Sequence, residues 1–179
     1  MANGGVAWSA LAAVALGLAA PEHGYLAFVG ALAAAAADTW ATELGRLSPW
    51  RPWALRHARR VPAGTSGAVS AVGTGAALAG AGSVVGTALW LQGPLGSPVL
   101  EAGGALLGAG LAGMVADSVA GAFLQARYRV LASGPLVEKP SSDDAQLVRG
   151  WARIGNNAVN LIGTVTGALT ALLWAGLAG

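Results

Sequence analysis

All ten lysine and arginine residues of this chain fall in two segments, 46–60 and 127–153, and the sequence on either side of them runs in long apolar stretches. A bilayer core about 30 Å thick needs roughly 20 apolar residues of helix to cross it. Five stretches qualify, approximately 3–20, 24–44, 66–91, 99–124 and 156–177. Only 10% of the 179 residues are charged and 55% are hydrophobic, against about 25% charged in an ordinary soluble domain. The expected fold is therefore all-α: a polytopic integral membrane bundle of about five transmembrane helices, one transmembrane domain over 1–179.

The same placement of charge sets an orientation. Arg46, Arg51, Arg56, Arg59 and Arg60 lie in one long connection, about 45–64, and Arg127, Arg129, Lys139, Arg149 and Arg153 in the other, about 125–154. The short connections "PEHG" and "QGPLGSPVLE" carry acids and no lysine or arginine. The positive-inside rule then makes both long loops and the N-terminus cytoplasmic. Trp40, Trp50, Trp53, Trp90, Trp151 and Trp174 fall near span ends, as an interfacial belt requires. A net charge of +2 with pI near 9.7 is explained by these loops, so nucleic acid is not an expected partner. The chain has no cysteine, which excludes disulfides and thiolate metal sites. "GLAAPEHG" resembles a signal cleavage site, but no basic residue precedes the first span.

Within "AADTWATELG", Asp38 and Glu43 interrupt an apolar span, and "VADSVAGAFLQ" places Asp117 in the same way. Carboxylates inside spans are costly and mark functional sites. A second echo links "GTSGAVSAVGT" at 64–74 with "GNNAVNLIGT" at 155–164, both opening outward-running helices. The two echoes suggest a parallel internal repeat. Helices one, three and five would present their N-termini at the cytoplasmic face, where Asn3, Gly64, Thr65, Ser66, Gly67, Asn156 and Asn157 can cradle phosphate. Helices two and four would bring Asp38, Glu43 and Asp117 to the same level, a donor set suited to Mg²⁺ shared with substrate phosphates. On a straight helix Asp38 and Thr42 share a face, while Asp38 and Glu43 diverge by about 140°. Glu43 therefore needs either an unwound helix or a loop arginine as partner.

Each of these residues also has a structural reading. Asp38 and Asp117 can bond each other or buried backbone; Glu43 can be solvated; Arg59 and Arg60 can touch anionic lipid. Asn156, Asn157 and Asn160 can be interhelical hydrogen-bond glue, and Thr65 or Ser66 can cap helix three.

In order, "ANGG", "ADTWATELG", "VPAGTSGAVSAVGT", "ADSVAGAFLQARY" and "WARIGNNAVNLIGT" resemble the successive motifs of the integral membrane family called domain of unknown function 92, which includes phytyl-phosphate kinase. The resemblance implies a kinase that moves a phosphoryl group from a nucleoside triphosphate, CTP-like, to phytyl or another isoprenyl monophosphate. It implicates Asp38, Thr39 and Glu43; Gly64, Thr65, Ser66 and Gly67; and Asp117, Ser118, Gln125, Asn156, Asn157 and Asn160. Beside it stands the reading of the residues themselves: Asp38 and Asp117 holding Mg²⁺, Asn3 and the glycine turn holding phosphate, Arg59 and Arg60 neutralising charge. No P-loop pattern is present. Family members usually have further spans before "ANGG", which here starts the chain, so a shortened, non-catalytic member is one alternative. A small-molecule or ion transporter is the other, though its site would lie near the midplane, and Asp38 falls about 21 Å along its helix.

Overall fold

A computed structural model of the chain describes residues 2–92, 98–129, 136–139 and 145–178. It is a bundle of five helices: α1 (Ala2–Ala15), α2 (Pro21–Gly45), α3 (Ala71–Gln92), α4 (Pro98–Phe123) and α5 (Asn156–Ala178). Four of them, over Pro21–Gly45, Ala71–Leu91, Ala102–Phe123 and Asn156–Leu177, are long and apolar enough to cross a membrane. The fifth departs from the expected span 3–20. At 14 residues α1 is about 21 Å long, short of a bilayer core.

Its end is set by Gly17 in the left-handed region, with φ 69°. Leu18 N–H reaches back to the Ala13 carbonyl at 2.8 Å and Gly17 N–H to Val14 at 3.0 Å, the paired bonds of a Schellman cap. The chain then extends through Ala20, and Pro21 starts α2 where its missing N–H costs nothing.

Packing is inverted relative to a water-soluble protein. The interior is alanine, with Ala31, Ala33, Ala37, Ala77, Ala81 and Ala109 wholly buried, while Trp8, Leu16, Trp90, Leu173 and Leu177 point outward. Lipid offers large apolar side chains a solvent as good as any core, so helices associate by close backbone contact instead. α2 and α5 cross at Gly30 and Gly167, where a Cβ on either would lie 2.7 or 2.5 Å from the other's carbonyl oxygen. α4 meets α5 at Gly113, whose Cβ would sit 2.7 Å from the Gly163 carbonyl.

Both long connections carry short strands among their described residues. The first holds β1 (Trp53–Ala54), β2 (Arg59–Arg60) and β3 (Ala68–Val69) in an antiparallel sheet of order β2-β1-β3. The second pairs β4 (Arg127–Arg129) with β5 (Gln146–Arg149), also antiparallel. Each half of the bundle thus runs helix, small basic sheet, helix, as a repeat would. Both sheets lie at the end where α2 and α4 finish and α1, α3 and α5 begin.

Replacing Gly30 or Gly167 with Val is expected to destabilise the bundle by about 1 to 3 kcal/mol through overpacking. Gly86→Val, where nothing lies within 4 Å, should leave the thermal midpoint in detergent unchanged. Equal midpoints for all three variants would contradict the α2–α5 contact.

Candidate functional site

Small residues one turn earlier bring the two intramembrane acids together. Ala34 precedes Asp38 on α2 and Gly113 precedes Asp117 on α4, and a Cβ on Gly113 would overlap the Ala34 side chain. With the backbones that close, the next turn places the Asp38 and Asp117 carboxyl groups within hydrogen-bonding reach of each other. Two carboxylates in contact repel unless a proton or a metal cation lies between them.

Asp117 is also fixed from α5. With its amide turned so that both ends are satisfied, Asn160 donates from Nδ2 to Asp117 Oδ1 at 3.1 Å and to the Asn156 carbonyl at 3.2 Å. In that orientation the Asn160 Oδ1 faces the amide of Asn3 on α1 at 2.9 Å and accepts from its Nδ2 once the Asn3 amide is turned as well. The hydrogen-bonded chain runs from α1 through α5 to α4 and on to α2.

Above this pair, toward the small sheets, opens a cavity of about 390 Å³. Asn3, Asp38, Thr39 and Glu43 line it from α1 and α2, and Gly64, Thr65, Ser66 and Gly67 from the connection. Asp117, Ser118 and Gln125 line it from α4 and the residues just after, and Asn156 and Asn160 from α5. Arg59, Arg60 and Asn157 do not. Arg59 and Arg60 form exposed β2, and Arg60 Nη1 donates to the Arg51 carbonyl at 2.7 Å; Asn157 is exposed on α5, a 100° step from Asn156.

Glu43 lines the cavity without joining the acid pair. α2 stays helical through Gly45, so Glu43 does not swing toward Asp38. It pairs instead with Arg46 at 3.7 Å, the arginine partner that was the alternative to an unwound helix. Its side chain is 63% exposed, and such pairs contribute little.

The "GTSG" segment does not open α3, as expected, because α3 begins at Ala71. Ser70 caps that helix, its Oγ accepting from Gly73 N–H at 3.0 Å. "GTSG" is a turn docked on α4. Gly67, at φ 70°, lies where a Cβ would be 2.5 Å from Ala122 Cα. Beside it, Ser66 Oγ lies 2.5 Å from Gln125 Oε1 and 3.2 Å from the Gly121 carbonyl. Gln125 is buried, and its Nε2 has no hydrogen-bond partner among the described residues.

Arg127 and Glu138 line the cavity too, paired at 3.3 Å, and neither was singled out from the sequence. Arg127 follows Gln125 within the same "LQARY" stretch, so its proximity was legible while its contact was not. Arg149 Nη2 donates to the Gly121 carbonyl at 3.2 Å, near the negative end of α4. Burial first, then the Arg127 and Arg56 guanidiniums, hold the Arg149 pKa below its ordinary value. Arginine nonetheless remains a cation in proteins.

No group of three or more His, Cys, Asp or Glu side chains gathers among the described residues. Asp38 and Asp117, with amide and hydroxyl oxygens around them, form a hard oxygen set suited to Mg²⁺, which typically takes one or two carboxylates and keeps its remaining positions for water or phosphate. Among known proteins, residues 1–168 match the family described as integral membrane protein DUF92. No solved structure matches the chain.

Ser66→Ala is expected to cost about 1 to 3 kcal/mol, because it leaves buried Gln125 Oε1 without its hydroxyl partner. Ser9→Ala removes only an exposed bond to the Gly5 carbonyl of its own helix and should be neutral. Thermal unfolding in detergent compares the two.

Proposed function

The chain belongs to the DUF92 family of integral membrane proteins, and from that premise we propose that it is a membrane-embedded isoprenyl-phosphate kinase. It transfers a phosphoryl group from a nucleoside triphosphate, CTP-like, to phytyl or another polyprenyl monophosphate, giving the diphosphate. One observation carries the reading: two carboxylates from α2 and α4 meet at the floor of a polar cavity that opens between basic sheets at one end of an apolar bundle. A lipid phosphate fits such a site, with its chain among the helices and its headgroup in the cavity.

In this reading Asp38 and Asp117 hold Mg²⁺, which neutralises phosphate charge when bound. Asn160 and Asn3 keep the Asp117 carboxylate in place, and the Ser66 turn with Asn156 positions phosphate oxygens. The acceptor oxygen attacks the γ-phosphorus, the bond to the β-phosphate oxygen breaks, and the nucleoside diphosphate leaves. A phosphate monoester is already largely dianionic at neutral pH, with a second pKa near about 6, so no side chain need take its proton. That agrees with a cavity without histidine among its lining residues and removes the need for Glu43 as a base. Phosphoryl transfer asks mainly for positioning and neutralised charge. The basic sheets face the cytoplasm in this reading, as the positive-inside rule requires, which puts the cavity on the nucleotide side.

Purified protein with Mg²⁺, labelled CTP or ATP, and phytyl, geranylgeranyl or farnesyl monophosphate should form diphosphate. Asp38→Asn and Asp117→Asn should each lower the rate at least about 100-fold, the scale of losing a charge-stabilising group. Absence of product from folded wild type would sink the kinase, and substrate flux into liposomes without product would favour a transporter. The absence of native cysteine gives a clean test of orientation. Single cysteines at Arg56 and Lys139 should react with a membrane-impermeant maleimide only from the cytoplasmic side.

A further inference from the structure

Arg127 and Arg149 stand directly opposite each other in the β4–β5 ladder. Like charges on one rung destabilise a sheet, and the Arg127 side chain is only 12% exposed, so the pairing needs a compensating anion. The fold supplies part of one. Arg149 reaches the Gly121 carbonyl, yet its Nε is buried without a hydrogen-bond partner among the described residues. Arg127 meets Glu138, whose side chain is 47% exposed. Glu138 follows Val137, which is tied to Tyr128 by two backbone bonds of 2.8 Å. It is the one carboxylate on these arginines among the described ion pairs.

The ladder is irregular between Arg127 and Tyr128, and bulges at such positions re-aim side chains next to functional sites. Here Arg127 and Glu138 line the same cavity as Asp38 and Asp117. Gly121, which Arg149 touches, is one turn beyond Asp117, about 6 Å along α4. A carboxylate pair and, about a turn farther toward the sheets, a guanidinium pair at the same cavity suit a polyphosphate, whose charges are spread along its length.

We propose that Arg127, backed by Arg149, binds the phosphate oxygens of a polyphosphate, and that Glu138 is the internal carboxylate this anion displaces. The proposal rests on reading the cavity as a phosphate site, and it gives the neutralising role to Arg127 in place of Arg59 and Arg60. Arginine suits it because its planar fork meets two phosphate oxygens at once.

The test is tripolyphosphate binding, with Mg²⁺ and no acceptor lipid, to the full chain in detergent, read by calorimetry. Arg127→Ala should weaken binding about 10- to 100-fold, the worth of a charge-assisted contact, and Arg127→Lys should fall between that and wild type. Glu138→Gln should tighten binding about 3- to 10-fold by removing the competitor. Arg153→Ala, outside the cavity, should change nothing. Wild-type affinity in Arg127→Lys and weaker binding in Glu138→Gln would overturn the proposal even if Arg127→Ala fails to fold. A second arm measures short-chain phosphatidic acid. Loss of that ligand alone in Arg127 variants would assign the arginine to a lipid headgroup and overturn the polyphosphate assignment. Because no acceptor is present, this pattern of binding without phosphoryl transfer in the kinase assay would reject the kinase and keep the site. Transfer with unaltered binding in the Arg127 variants would do the reverse.

Discussion

The backbone contact between α2, α4 and α5 determines nearly everything at the site. Gly30 against Gly167, Gly113 against Gly163 and Ala34 against Gly113 leave no room for larger side chains. In a bilayer this contact supplies the attraction that burial of apolar area supplies in water. It also fixes distance at the level of the next turn. Once Ala34 and Gly113 touch, the acids one turn on have nowhere to go but toward each other, and Asn160 is carried in by the helix that Gly163 seats. The cost of acids inside the bundle is offset by hydrogen bonds from α5 and by their place beside a polar cavity.

Much of this was legible in the sequence, for a definite reason. Ten cations confined to two segments leave few ways to thread a bilayer, so the number of helices and the shared face of both long connections followed. Asp38 and Asp117 stood out because charge inside a span is rare, and their position after the same small-residue pattern put them on equivalent turns. Thr42 sits on the Asp38 face as periodicity requires, and it lines the cavity. Where the reading failed, the cause was tertiary. Two-residue strands such as β1 and β2 carry no periodicity, so both connections read as loops. α1 ends early at a single left-handed glycine. "GTSG" read as the polar start of the third span, yet Gly64 and Gly67 adopt positive φ and turn the chain away from a helix. Arg127 needed a strand partner brought from β5 before it could be seen as part of a charge cluster.

Placing arginines on short strands has a physical consequence. A guanidinium on a free loop loses considerable side-chain entropy when it docks an anion. Strand pairing, and for Arg149 a bond to the end of α4, has already restricted these residues. Tethering to β1 and β3 does the same for the Ser66 turn, which contacts α4 directly. The polar layer is therefore held by the bundle and both sheets, although it lies outside the spans.

The two halves are not equivalent, and their difference explains where the cavity lies. Aligning "AVSAVGT" at 68–74 with "AVNLIGT" at 158–164 matches Ser70 to Asn160 and Gly73 to Gly163. Gly163 packs on Gly113, a turn before Asp117, whereas Gly73 packs on Ala41, three residues after Asp38. Relative to its partner, α3 is thus set back by about seven residues, roughly two turns or 10 Å. α5 keeps its first turn helical from Asn156 and fills the space over Asp117 with Asn160. In the other half the matching stretch is unwound into the Ser66 turn and β3, so Asp38 has no equivalent of Asn160 and faces the cavity. A strictly symmetric pair would have set an amide against each acid. The offset of α3 leaves one acid with an amide anchor from the helix beside it and the other without one, although both line the cavity.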